Sequence, residues 1–287
     1  MIDNILYTIA LVVLFVGSYT DFKKREVADT INWGFLFVVL GVRLMYSLSS
    51  NDYLYFMDGA VGALLFFIIA CLMFYTGQWG GGDSKMLLGL GAVFGFSLLS
   101  WTKFQLIEVF LINVMIVGGF YGMIYSIVLS IKHWSKFKIK FKHYSKKIKK
   151  TKIIVISVCV LLLILSFFVQ DPMLKILDYV LILFLILTVY FYLFAKGVEE
   201  AAMIRNVNVS ELTEGEWIVD DIVVDGKKVC GPKDLGIEKE QIEELERLEK
   251  LGKVDKILIK VGIPFVPSFL LSFLVTVLFG NWLVFLF

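Results

Sequence analysis

A series of long apolar segments limits this chain to very few folds. Eight segments approach or exceed the ~20 residues that an α-helix needs to cross a bilayer. They lie at about 3–20, 31–48, 57–76, 84–101, 104–131, 153–170, 174–195 and 262–287. Hydrophobic residues make up 59% of the chain, and the mean hydropathy is +0.82. These values exclude an ordinary soluble domain. The sequence predicts an all-α polytopic membrane bundle of about eight transmembrane helices.

Charge is strongly segregated along the chain. Residues 132–152 carry ten lysines and no acid, whereas residues 197–260 carry sixteen acids and ten basic residues. Eight spans place both termini outside, and the basic loops then face the cytoplasm. Lys103 is the one basic residue of the external loops, which would be 49–56, 102–103 and 171–173. This asymmetry is what the positive-inside rule requires.

Spans and charges together predict the domain organisation. It comprises a membrane core (1–131), a Lys-rich cytoplasmic loop (132–152), an extra transmembrane hairpin (153–195), an acidic cytoplasmic domain (196–261) and a final transmembrane helix (262–287). The acidic domain is predicted to be small and α+β. Residues 217–224 favour a strand, Asp225-Gly226 a hairpin turn and residues 227–230 the return strand. Residues 237–251 show helical spacing of apolar residues.

Two aspartates stand at the ends of apolar segments. Asp21 closes the first segment, and Asp83 follows the run Gly80-Gly81-Gly82 at the start of the fourth. The threading places both carboxylates at the cytoplasmic edge. An Asp near the membrane core costs roughly 2.5–3.5 kcal/mol, which makes each a functional-site candidate. Each also has an ordinary explanation, because Asp21 fits an interfacial charge and Asp83 fits a helix N-cap after a flexible turn.

Other kinds of site lack the residues that they need. The glycine run has no following GK[ST], so it is not a phosphate loop. The chain has no HExxH, GxSxG or CxxC motif, and its two histidines, His133 and His143, lie in the Lys-rich segment. We therefore predict neither a metal nor a cofactor. Glycines at 80, 81 and 82 instead free the backbone to approach an extended peptide closely.

The two aspartate motifs resemble those of a known family. Gly80-x-Gly82-Asp83, followed by Lys85, is similar to the signature of the GxGD aspartyl proteases. The stretch from Asp21 to Val27, DFKKREV, resembles the first catalytic motif of type IV prepilin peptidases, especially the archaeal preflagellin peptidases, which process class III signal peptides. Residues 214–216 and 262–267 also look like that archaeal branch. The resemblance covers about 1–100 and 210–287.

The resemblance implies a function and a set of site residues. It implies a six-helix core in which Asp21 and Asp83 form a catalytic dyad, with the hairpin 153–195 as an addition. The implied substrate is a prepilin-like or prearchaellin precursor, cut at the cytoplasmic face between its basic leader and its apolar helix. Six further residues are candidates for binding the substrate or supporting the site: Gly80, Gly81, Gly82, Lys85, Pro264 and Pro267.

Further expectations concern partners and alternatives. The acidic domain is expected to attract the basic leader, and the Lys-rich loop to hold anionic lipid headgroups. No nucleic acid partner is expected. A transporter or channel, with the carboxylates binding a cation or relaying protons, is the main alternative. A non-catalytic subunit of a surface filament is another. The placement of both carboxylates at one membrane edge argues against a transporter or channel, because an ion pathway favours charges near the membrane midplane.

Overall fold

The computed structural model describes residues 2–100 and 104–280, which are mostly helical. Five helices are long and apolar enough to cross a membrane. They are α1 (Ile2–Lys24), α2 (Asp29–Ser50), α3 (Tyr53–Tyr75), α5 (Leu106–Lys132) and α8 (Pro172–Val198), which a π-helical turn at Glu199–Met203 continues. The chain is a multi-pass helical membrane protein.

Three further apolar helices correspond to the other predicted spans. These are α4 (Gly81–Phe94), α7 (Lys149–Ser166) and α10 (Val266–Phe279). With 14 residues, α4 is only ~21 Å long at 1.5 Å per residue, shorter than the ~30 Å hydrocarbon core. A 3₁₀ turn at Leu98–Ser100 follows it. The total of eight spans therefore stays a prediction. Lys103 and residues 281–287 of the last predicted span lie outside the described residues.

Small residues bring the helices of the bundle close together. Helices α1 to α5 and α10 share one apolar core, which includes Leu14, Phe66, Leu90, Phe110 and Phe269. A Cβ added at Gly62 on α3 would lie 2.3 Å from the carbonyl oxygen of Gly91 on α4. The pair Gly91 and Gly95 thus packs helices, as its spacing predicts. The similar pair at Gly118 and Gly122 does so only through Gly118, which faces α10.

The acidic region forms a small subdomain with its own core. Strands β1 (Ile204–Asn208), β5 (Lys256–Lys260) and β2 (Trp217–Ile218) form one sheet in the order β1-β5-β2. Strands β3 (Ile222–Val224) and β4 (Lys227–Cys230) form an antiparallel hairpin, and α9 (Lys239–Lys250) packs against the same core. A 3₁₀ turn at Val209–Glu211 follows β1.

Most of this subdomain agrees with its sequence pattern. The predicted turn has positive φ at both Asp225 and Gly226, as a tight hairpin needs. The prediction of one strand over 217–224 is wrong, because β2 pairs with β5 while β3 pairs with β4. The sequence analysis predicted neither strand β1 nor strand β5. Near Gly77 of the bundle, the ring of Trp217 comes within 3.2 Å of where a Cβ would lie.

Residues 124–205 form a second compact unit, separate from residues 1–123 and 206–287. The segment predicted as a Lys-rich loop contains a helix, α6 (Trp134–Lys147). Its Phe137 is buried against Val198 and Ala201, at the end of α8. Lys140 Nζ lies 2.7 Å from Glu200 Oε2, and the Tyr144 hydroxyl donates to the same carboxylate. These contacts order a segment that charge alone would leave as a loop.

Candidate active site

Asp21 lies in the last turn of α1 and meets the start of α10. Its side chain is 6% exposed. The backbone N–H of Val266 donates to Asp21 Oδ2 at 3.0 Å, and Val266 is the first residue of α10. A helix N-terminus stabilises negative charge through its free N–H groups and its dipole. The last helix of the described chain thus supplies a built-in partner for this carboxylate.

Asp83 lies in the first turn of α4, and its carboxylate interacts electrostatically with that of Asp21. The Gly80 N–H donates to Asp83 Oδ2 at 3.3 Å, which completes a capping arrangement. Helices α1 and α4 also pack tightly, since a Cβ at Gly17 would lie 2.9 Å from Met86 Cε. The structure therefore brings together two carboxylates that are 62 residues apart in the sequence.

Trp79 joins the loop before Asp83 to the segment that binds Asp21. The ring of Trp79 is 8% exposed, and its centroid lies 5.3 Å from that of Phe265 and 5.4 Å from that of Phe269. Pro264 and Pro267 are buried in the same segment, and Pro267 occupies the first turn of α10. These two prolines shape the entry of the helix whose N-terminus binds Asp21.

The three glycines before Asp83 meet no steric demand from the described chain. Gly80 is extended with φ of −71°, and Gly81 and Gly82 begin α4. Positive φ is found at none of the three, so the left-handed freedom of glycine is not used. A Cβ at any of them would meet its nearest described atom at 3.5 Å or beyond. A Cβ therefore fits at each position, and the described fold does not explain the glycines.

Lys85 forms an ion pair with Asp29, at the start of α2, rather than with Asp21 or Asp83. Its Nζ lies 2.6 Å from Asp29 Oδ1 and 2.7 Å from Oδ2. Asn32, one turn further along α2, donates from Nδ2 to the Gly82 carbonyl oxygen at 3.3 Å. The sequence analysis did not single out Asn32. Its signal is a lone amide within the apolar run 31–48.

The site has the chemistry of paired carboxylates. Among residues 2–100 and 104–280, no cluster of three or more His, Cys, Asp or Glu side chains is arranged to hold a metal ion. Two neighbouring carboxylates share a proton readily, because both do not ionise easily at close range. Such a pair provides one proton acceptor and one proton donor side by side. The buried partner of Asp21 and the cap of Asp83 hold the two groups in place.

Comparison with known proteins links these motifs to one family. Residues 8–127 match the model of the type IV leader peptidase family. The preflagellin peptidase of Methanococcus maripaludis is 40% identical over 89 residues, which are 30% of this chain and 37% of that protein. Those of Methanococcus voltae and Methanocaldococcus jannaschii are 34% and 33% identical, over 31% and 30% of this chain and 38% and 37% of theirs.

The matches cover one part of the molecule. The chain spans less than two fifths of the length of these curated relatives. The family segment contains Asp21, Asp83 and the α2 residues between them, but not α10. The resemblance that the two motifs predict is confirmed for this part of the chain, because residues 8–127 are similar to the type IV leader peptidase family.

Proposed function

We propose that this protein is a membrane aspartyl endopeptidase that removes the leader from type IV prepilin-like or prearchaellin precursors. The observation that supports this most is the convergence of Asp21 and Asp83, from two motifs, in a segment of the leader peptidase family. Relatives of this segment are named preflagellin peptidases. The proposed site lies at the cytoplasmic membrane face, where the basic loops of the threading also fall.

The two carboxylates divide the work of hydrolysis. The ionised member accepts a proton from a water molecule, whose oxygen attacks the scissile carbonyl carbon. The protonated member donates its proton to the carbonyl oxygen. Collapse of the tetrahedral intermediate transfers a proton to the amide nitrogen and breaks the C–N bond. The pair titrates as one unit, so acid and base are roles of the dyad rather than of fixed residues.

A cleavage assay with matched variants tests this function. The purified full chain, Asp21→Asn and Asp83→Asn are each mixed with a prearchaellin precursor in lipid vesicles, and the products are identified by mass. Each Asn variant should lose at least a thousandfold in rate while keeping its melting temperature. Asp171→Asn is the control, because Asp171 only caps α8 and Asn caps equally well. Full activity in either site variant would remove that residue from catalysis.

The acidic subdomain is proposed to attract the basic leader. On α9, Glu240, Glu243 and Glu244 line a shallow cavity of about 460 Å³ together with Arg247 and Leu248. Lys227 neutralises part of this charge, since its Nζ lies 3.0 Å from Glu244 Oε1. Long-range attraction between opposite charges raises the association rate and weakens with salt.

Charge neutralisation tests this attraction. Replacement of Glu238, Glu240, Glu243 and Glu244 by Gln should raise KM several-fold at low salt and have little effect at high salt. Replacement of Glu246 and Glu249 on the same helix is the control, because neither residue lines the cavity. An unchanged KM at low salt in the fourfold variant would rule out leader attraction by this surface.

The lysine-rich helix α6 is proposed to contact anionic lipid headgroups. Lys136, Lys138, Lys142 and Lys146 are exposed, and none has an ion-pair partner in the described chain. Because α5 ends at Lys132 and α7 begins at Lys149, the helix lies close to the ends of apolar helices. Each such lysine contributes about 1 kcal/mol at an anionic surface.

Lipid retention after extraction tests this contact. Native mass spectrometry should show phosphatidylglycerol retained by the wild type and lost when these four lysines become Gln. Replacement of Lys233, Lys239, Lys250 and Lys256 in the acidic subdomain is the control for net charge. Equal retention by the two variants would contradict the lipid contact.

A further inference from the structure

Asn32 is a buried amide with only part of its hydrogen-bonding capacity in use. The residue is 1% exposed. Its Nδ2 donates to the Gly82 carbonyl oxygen, but its Oδ1 is buried with no hydrogen-bond partner in the described chain. A buried polar atom without a partner is unfavourable. A purely structural contact between α2 and α4 is formed more favourably by an apolar residue at this position.

The bond from Asn32 reaches the peptide unit directly before Asp83. The Gly82 carbonyl belongs to the same rigid peptide plane as the Asp83 nitrogen. Fixing that oxygen therefore restricts the rotation that sets where the Asp83 side chain points. This restriction matters in the first turn of α4, which Gly81 and Gly82 begin, because glycine in a helix is less favourable than other ordinary residues.

Two neighbours of Asn32 support the same loop. The Val27 backbone packs along Gly82, whose added Cβ would lie 3.5 Å from Val27 N. Asp29 precedes Asn32 by one helical turn and binds Lys85, two residues after Asp83. The Asp29 and Lys85 side chains are 62% and 36% exposed, and exposed pairs contribute little. The amide of Asn32 is thus a buried hydrogen bond from α2 to the first turn of α4.

We propose that Asn32 is a positioning residue, which holds the Gly82–Asp83 peptide unit so that the Asp83 carboxylate faces Asp21. The proposal rests on the peptidase function proposed above. Asn32 itself does not touch the substrate. Its effect is on the rate of the chemical step, because small displacements of reacting groups cost up to ~100-fold in rate.

The test compares two buried asparagines of the same bundle. Asn32→Ala removes the bond to Gly82, and Asn32→Thr does so with nearly the original volume. Asn113→Ala is the matched control, because Asn113 is also fully buried and donates to Thr276 Oγ1 at 2.9 Å, far from Asp83 in the chain. The measurements are kcat and KM on a prearchaellin precursor, the melting temperature, and hydrogen exchange of the peptide 79–86.

The outcomes separate positioning from simple stability. Both Asn32 variants should lower kcat at least tenfold with KM unchanged, and should speed exchange in 79–86. Asn113→Ala should lower the melting temperature but keep kcat and the exchange of 79–86. Wild-type kcat or unchanged exchange in Asn32→Thr would overturn the proposal. If the wild type itself does not cleave, the peptidase function fails, while the exchange comparison still decides whether Asn32 holds the loop.

Discussion

The two ends of the bundle use glycine and polar side chains in opposite ways. At one end, Arg43 is 3% exposed and donates to the carbonyl oxygens of Tyr55 at 2.6 Å and Val93 at 2.9 Å. Its guanidinium lies 4.4 Å from the centroid of the Tyr55 ring. Gly59 and Gly95 make room for it, since a Cβ at Gly59 would lie 2.3 Å from Arg43 Cδ and one at Gly95 2.9 Å from Nη2.

At the other end, the glycines have no such internal reason. At Gly80, Gly81 and Gly82, an added Cβ would make only ordinary van der Waals contacts, at 3.5 Å or more. The Arg43 end is explained by contacts within the protein, whereas no described contact requires glycine at positions 80, 81 and 82. Under the proposed function, the Arg43 end serves stability and the Asp21 end serves the substrate. Four substitutions test this distinction, in order of expected loss of stability.

Gly62→Ala should be the most destabilising change. The added Cβ would lie 2.3 Å from Gly91 O and 2.8 Å from Gly95 Cα, and backbone atoms do not move aside easily. The expected loss is about 3 kcal/mol or more, as for overpacked cores, measured as the melting temperature in micelles. Gly41→Ala is the control, because nothing lies within 4 Å of its Cβ. Equal melting temperatures in both variants would contradict tight packing of α3 on α4.

Arg43→Met should cost about 2 kcal/mol, because two buried carbonyl groups lose their donor. The melting temperature should fall, while the cleavage rate of the folded protein stays within about twofold because Asp21 and Asp83 lie at the other end. Arg43→Lys keeps the charge but offers a single ammonium group in place of the planar guanidinium. Its melting temperature should therefore lie between those of the wild type and Arg43→Met. A large loss of kcat without loss of stability would show that Arg43 affects catalysis, and would contradict the distinction between the two ends.

Lys85→Met should change stability by less than ~1 kcal/mol, because exposed ion pairs contribute little. Asp29→Asn should do the same, and the double variant should equal either single one. The free energy of unfolding of all three variants is measured by urea or thermal unfolding. A loss above about 2 kcal/mol would show that the Asp21 end is held as rigidly as the Arg43 end.

Gly81→Ala should leave stability within ~0.5 kcal/mol, because φ is not positive there and alanine suits a helix. Its nearest described atom, Phe74 Cε2, is 3.8 Å from the added Cβ. If a substrate backbone occupies the space, the methyl group should nevertheless lower kcat/KM at least tenfold. Gly119→Ala on α5 is the control, because nothing lies within 4 Å of its added Cβ. Wild-type cleavage by Gly81→Ala would leave these glycines without a role in substrate binding.

Local patterns in the sequence anticipate much of this structure, and long-range contacts account for the rest. Apolar length predicts α1, α2, α3, α5 and α8 within a few residues, and Asp225-Gly226 predicts its hairpin. The same threading brings Asp21 and Asp83 to one edge of the membrane, and in the structure the two carboxylates interact electrostatically. Their catalytic role stays a prediction.

The features that the sequence analysis missed depend on distant partners. Nothing near Val266 indicates that its N–H binds Asp21, and nothing near Asn32 indicates that Gly82 is its acceptor. Helix α6 was missed because a run of like charges favours a solvated loop. Burial of Phe137 and pairing of Lys140 with Glu200 override that repulsion. Both partners lie about 60 residues further along the chain.

The bond from Val266 to Asp21 also sets the order of events during synthesis. The two residues are 245 positions apart, so translation at ~5–20 residues per second separates them by roughly 12–50 s. During that interval α10 has not been synthesised, so Asp21 lacks the hydrogen bond from Val266. The surroundings of Asp21 are therefore complete only after α10 has packed against α1. A nascent chain therefore forms the hydrogen bond from Val266 to Asp21 only after the start of α10 has been synthesised.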